Sequence, residues 1–118
     1  MVDTCMESSK LLEERGIKAG VVNARFIKPI DETMLRQIAR EVGIIVTVED
    51  NVLAGGFGSA VIETLSACNL NWVKTLRLGL PDKFVEHGTR AELLEIYGLT
   101  ADKIADRVGT FILQFGAR

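Results

Sequence analysis

The chain has 118 residues, 47% of them hydrophobic and 25% charged, with a formal net charge of −2. That is the balance of one globular domain, long enough to bury roughly two-thirds of the surface its unfolded chain would expose. No basic stripe accompanies its few aromatics, which argues against a nucleic-acid partner, and no apolar run approaches the roughly 20 residues of a membrane span.

The start, Met1-Val2-Asp3-Thr4-Cys5, has neither a basic leader nor an apolar core, so no signal peptide is expected. Residues from about Asp3 to Arg15 read as a helix anchored by Met6, Leu11 and Leu12, with Gly16 as its stop. Residues 20–26 read as a first strand. Pro29 ends it, because proline lacks the N–H a strand would use and forces Lys28 into an extended conformation. Asp31 then caps a helix whose apolar stripe is Met34, Leu35, Ile38, Ala39 and Val42, and Gly43 supplies a left-handed stop.

The continuous β-branched run Ile44-Ile45-Val46-Thr47-Val48 predicts a second strand of the parallel kind, covered on both faces. A glycine-rich turn follows, and a third helix spans about Phe57 to Ala67. Val73 to Leu78 is a third strand, left through Gly79-Leu80-Pro81-Asp82. Thr89 and Glu92 have capping-box spacing and open a short helix to Tyr97. Gly98 breaks it, and Thr100 caps a last helix with Ile104, Val108, Phe111, Ile112 and Phe115 on its core face.

Helices alternating with β-rich runs predict an α/β domain, a mainly parallel sheet between two helix layers. The pattern opens on a helix, although a doubly wound unit starts with a strand, and three strands are few for a sheet covered on both sides. The expectation is that Met1 lies inside a longer polypeptide and that a preceding strand is missing.

In open α/β sheets ligands gather at the carboxyl ends of the strands. Glu49, Asp50 and Asn51 stand there after the second strand, where they could hold magnesium or accept a proton; equally, they end a strand and polarise the next helix. Gly55-Gly56-Phe57-Gly58 before a helix suggests phosphate binding, but the spacing is not GxGxxG and no P-loop lysine follows. The alternative is that these glycines allow close helix packing. His87 is the single histidine, a conceivable base or an interface residue. Arg25 and Lys28 could bind an anion or make salt bridges across a domain interface. Cys5 and Cys68 lie far apart, with no CxxC and no histidine beside them, which argues against a metal site; free thiols of a cytoplasmic protein are the favoured reading, with a disulfide as the alternative. No constellation meets the geometric requirements of an active site.

Two strings, Asn23-Ala24-Arg25-Phe26-Ile27-Lys28-Pro29-Ile30-Asp31 and Val48-Glu49-Asp50-Asn51 with Gly55-Gly56-Phe57-Gly58-Ser59, resemble the C-terminal domain of the transketolase family. Leu78-Gly79-Leu80-Pro81-Asp82-Lys83-Phe84-Val85-Glu86-His87-Gly88 and Glu95-Ile96-Tyr97-Gly98-Leu99-Thr100 are similar to its 1-deoxy-D-xylulose-5-phosphate synthase branch. The resemblance implies a parent enzyme that joins pyruvate, losing carbon dioxide, to glyceraldehyde 3-phosphate for isoprenoid synthesis. That enzyme uses thiamine diphosphate and magnesium, held by two preceding domains. It implies no catalytic, cofactor-binding or metal-binding residue in this chain. It implies instead a structural domain, inactive alone, that contacts the preceding thiamine-binding domains and a second subunit. The interface candidates are Arg25, Lys28, Glu49, Asp50, Gly55, Gly56 and His87. Two other readings stay open: a regulatory module for a small phosphorylated ligand, and a separate C-terminal subunit of a split transketolase-like enzyme.

Overall fold

The central sheet is a parallel pair, β1 (Ile44–Val52) beside β2 (Lys74–Leu80). Around it in chain order lie α1 (Val2–Glu14) and α2 (Glu32–Val42) before β1, α3 (Phe57–Ala67) between the strands, and α4 (Arg90–Ile96) and α5 (Ala101–Phe115) after β2. The structure, a computed structural model, describes residues 1–23, 32–52, 56–81 and 88–115, with the backbone alone at 50–52.

Side chains alternate across a strand, so β1 and β2 present two faces to two helix layers. Val46, Val48, Leu76, Leu78 and Leu80 face the α1/α5 layer, where Leu12, Leu99, Ile104, Ala105 and Val108 close the core. On the other side Leu35 and Ala39 of α2 and Val61 and Leu65 of α3 pack with Cys68, Leu70, Val73 and Ile45. The expected three-layer α/β arrangement with a parallel sheet is what the chain forms.

Local signals set the ends of the elements. Gly16, Gly43 and Gly98 take φ of +81°, +68° and +74°, the left-handed geometry that stops the preceding helices. The Thr89 hydroxyl accepts from the Glu92 N–H at 3.2 Å and donates to the Glu92 carboxylate at 3.2 Å, capping α4 as the spacing predicts.

Four expectations are corrected. Residues 20–23 form no strand, because extended backbone becomes a strand only where it joins a ladder, and the ladder among the described residues is that of β1 and β2; residues 24–26 and the Asp31 cap lie outside the described residues. β1 does not end at Val48. A register irregularity carries it past Glu49, Asp50 and Asn51 to pair Val52 with Leu80, so these polar residues belong to the strand rather than follow it. β2 begins one residue later than expected, at Lys74, and continues through Gly79 to Leu80.

The fourth correction concerns three core residues. Met6, Val42 and Phe115 are 47%, 54% and 53% exposed. Helical periodicity tells which face of a helix is apolar, but not how far a two-stranded sheet extends beneath it. The residue of α1 that is buried beside Leu12 is Ser8, whose hydroxyl donates to the Ala101 carbonyl at 2.5 Å and ties α1 to the start of α5.

Candidate functional site

The polar residues of the sheet converge at the carboxyl half of β1, beneath the first turn of α3. Thr47 and Glu49 are two apart on one face of β1, and Thr47 pairs with Arg77 of β2 in the ladder. All three therefore point toward α3. Thr47 and Glu49 are only 4% and 7% exposed.

Glu49 Oε2 accepts from the Gly58 N–H at 3.1 Å. That amide belongs to the first turn of α3, where backbone donors have no partner within the helix. The carboxylate lies where the helix dipole favours negative charge, and so serves as a cap delivered from the neighbouring strand. Gly56, the residue before the helix, is extended at φ −83° and ψ −171° and makes no side-chain cap of its own. An internal anion thus engages the donor that a phosphate would otherwise seek at Gly58.

Gly58 is constrained by close approach. A methyl group there would lie 2.7 Å from Thr47 Oγ1 and 3.1 Å from Arg77 Nε. Arg77 in turn donates from Nη2 to the Ser59 hydroxyl at 2.7 Å, a second tie between β2 and the opening of α3. Among the described residues, Glu49 Oε1 and Thr47 Oγ1 are buried without a hydrogen-bond partner, an arrangement costing about 1–3 kcal/mol per group where nothing else supplies the bond.

Of the predicted site residues, Glu49 is in this cluster, and Gly56 stands at the start of α3. Asp50 is placed by its backbone within β1. Arg25, Lys28, Gly55 and His87 lie outside the described residues. Sequence reading missed Thr47 and Arg77. Period-two spacing before Glu49 was the available signal for Thr47, while Arg77 needed the strand register. Among the described residues no three His, Cys, Asp or Glu side chains come together, and no helix is long and apolar enough to cross a membrane. Both cysteines are free; burial pushes the Cys5 thiol up, partly offset by the N-terminal ammonium, and so makes it a weak nucleophile.

A family profile described as transketolase, C-terminal domain, matches residues 1–104. The chain belongs to the transketolase C-terminal domain family. It is 47% identical over 114 residues to the 1-deoxy-D-xylulose-5-phosphate synthase of Symbiobacterium thermophilum, covering 97% of this chain and 17% of that enzyme. It is 51% identical over 104 residues to the synthase of Desulforudis audaxviator, covering 88% of this chain and 16% of that enzyme. Among solved structures it is similar to a split gene transketolase, described as an inactive beta4 tetramer. That match has a TM-score of 0.81 and 39% identity, and covers 92% of this chain and 35% of the other. The chain therefore spans about one-sixth of the length of the curated relatives it matches.

Proposed function

We propose that this transketolase C-terminal domain serves a thiamine diphosphate-dependent 1-deoxy-D-xylulose-5-phosphate synthase as its structural and interface domain, with no turnover of its own. The observation that carries the reading is the match over 97% of the chain to one-sixth of a synthase, which leaves the reactive machinery to the other five-sixths. The parent reaction would join pyruvate and glyceraldehyde 3-phosphate with loss of carbon dioxide, feeding isoprenoid synthesis in the cytoplasm.

The described residues do not suit thiamine diphosphate or magnesium. The buried carboxylate, Glu49, is turned inward onto the Gly58 amide, and among the described residues no three acidic, histidine or cysteine side chains converge. Arg25, Lys28, Asp50, Gly55, Gly56 and His87 are the proposed contact residues toward the thiamine-binding domains and a second subunit, with Glu49 acting from beneath by fixing the first turn of α3.

A second reading, a separate C-terminal subunit of a split enzyme, is favoured by the likeness to a split gene transketolase. One assay bears on both. The purified 118-residue chain, given pyruvate, glyceraldehyde 3-phosphate, thiamine diphosphate and magnesium, should form no 1-deoxy-D-xylulose 5-phosphate; product formation by the chain alone would overturn both readings.

A further inference from the structure

Three features meet at the head of α3. Gly56, in the N-cap position, has no side chain to offer, so the cap comes from outside the helix: the Gly58 N–H, a donor that an N-cap side chain ordinarily takes, reaches Glu49 Oε2 at 3.1 Å. Thr47, two residues before Glu49 on the same face of β1, is 4% exposed, and its Oγ1 is buried without a hydrogen-bond partner among the described residues. That oxygen is aimed at the same turn, since it lies 2.7 Å from the point a methyl group on Gly58 would take. Leu53, Ala54 and Gly55, which join β1 to α3 outside the described residues, have no side chain able to supply an anion or a hydroxyl.

Charge and size fix the kind of group that suits this turn. A helix N-terminus carries a partial positive charge, and the Arg77 guanidinium, which donates to the Ser59 hydroxyl at 2.7 Å, sets a full one beside it. A cation is therefore repelled and an anion is favoured. Beyond its Cβ, Glu49 fills the space of one methylene and one carboxylate, which is the size of acetate. A tetrahedral phosphate is bulkier than that, and a close-packed interior does not stretch to admit it.

We propose that the first turn of α3 is a carboxylate-binding site which the chain keeps filled with its own Glu49, and that a free monocarboxylate of acetate size takes the place when this side chain is cut back. In one respect acetate is better placed than Glu49. It is not tethered to β1, so it can accept from the Gly58 N–H and the Thr47 hydroxyl together, whereas Glu49 engages only the first of these. In the wild-type chain the internal carboxylate closes the turn to outside anions, phosphate included. The site is made of described residues alone and does not depend on the chemistry of the parent enzyme.

The test is chemical rescue in the 118-residue chain. Melting temperature and the NMR shift of the Gly58 amide are followed in acetate, phosphate and chloride at matched ionic strength, for the wild type, for Glu49→Ala, and for Glu49→Ala combined with Thr47→Val. With a dissociation constant of about 100 mM, about 0.5 M acetate should raise the melting temperature of Glu49→Ala by about 4 °C more than that of the wild type. It should also return the Gly58 amide toward its wild-type shift in a saturable way. Adding Thr47→Val should remove at least about half of that rise, because the second donor is gone. Phosphate and chloride should give no such rise, and phosphate should leave the wild-type Gly58 amide where it is. An equal acetate response in the wild type and Glu49→Ala is a general salt effect and overturns the site, as does a rise that Thr47→Val leaves undiminished, or a wild-type Gly58 amide that phosphate shifts. Should Glu49→Ala be unfolded in chloride, folding in acetate supports the site and failure to fold there overturns it. The synthase reading is untouched by each of these outcomes and stands or falls with the turnover assay.

Discussion

The two faces of the sheet solve the same packing problem with different chemistry. Toward α1 and α5 the strands present Val46, Val48, Leu76, Leu78 and Leu80, and the carboxylate at the head of α5, Asp102, lies in water. Toward α2 and α3 the strands become polar at their carboxyl half, where Thr47, Glu49 and Arg77 lie beneath α3 and the capping carboxylate is buried. The first face meets the sheet through apolar side chains, with Ser8 tying α1 to the start of α5. The second fixes where a helix begins, because Glu49 and Arg77 reach Gly58 and Ser59 directly. The two faces thus divide the work, one layer for cohesion and one for placement.

The largest break in this comparison comes from the dry side. Leu78 is fully buried in the α1/α5 core. Leu78→Ala removes its contacts and leaves a cavity that neighbouring side chains fill only partly, so urea denaturation should show a loss of about 2–5 kcal/mol. A loss below about 1 kcal/mol would mean that the two helix layers do not depend on this strand for their cohesion.

Gly58→Ala probes the polar side and should cost less, about 1–3 kcal/mol, because the new methyl meets side chains that can shift. The clash is specific: Thr47 Oγ1 at 2.7 Å is its nearest neighbour. Adding Thr47→Ala should therefore recover part of the loss in a double-mutant cycle. Strict additivity of the two substitutions would show that helix propensity, and not the close approach, governs this position.

These two sites also mark how far the sequence could be read. Helix ends were legible because their determinants are local: Gly16, Gly43 and Gly98 lie one or two residues beyond the helices they stop, and Thr89 is three residues from Glu92. The alternating architecture was legible for the same reason. The polar cluster was not, because Thr47 and Arg77 are brought together only by the register of a parallel ladder. Glu49 drew attention as an acid at a strand end; its actual partner, the Gly58 amide, depends on a strand that continues past Val48 rather than stopping there. The glycine run suggested either an anion site or close packing, and at Gly58 the neighbouring side chains favour close packing.

The smallest expected effect lies at the exposed counterpart of Glu49. The Asp102 carboxylate accepts from the Thr100 hydroxyl at 2.8 Å, and that bond, ahead of the first-turn amides and Lys103, holds its pKa below the ordinary value of 3.8. A carboxyl depressed in the folded state contributes stability that is present above its unfolded pKa and is lost as the pH falls through the lower folded pKa. The contribution should thus be constant at neutral pH and fade only in the acid range, below the ordinary carboxylate value. Because Asp102 is fully exposed, solvent screening keeps the effect local to the first turn of α5 rather than global. Carboxyl-detected NMR titration should find Asp102 titrating below the ordinary value of 3.8, and Thr100→Ala should raise it toward that value with little change in melting temperature. An unshifted Asp102 in the wild-type chain would remove the contrast between a buried and a solvated helix cap on which the comparison of the two faces rests.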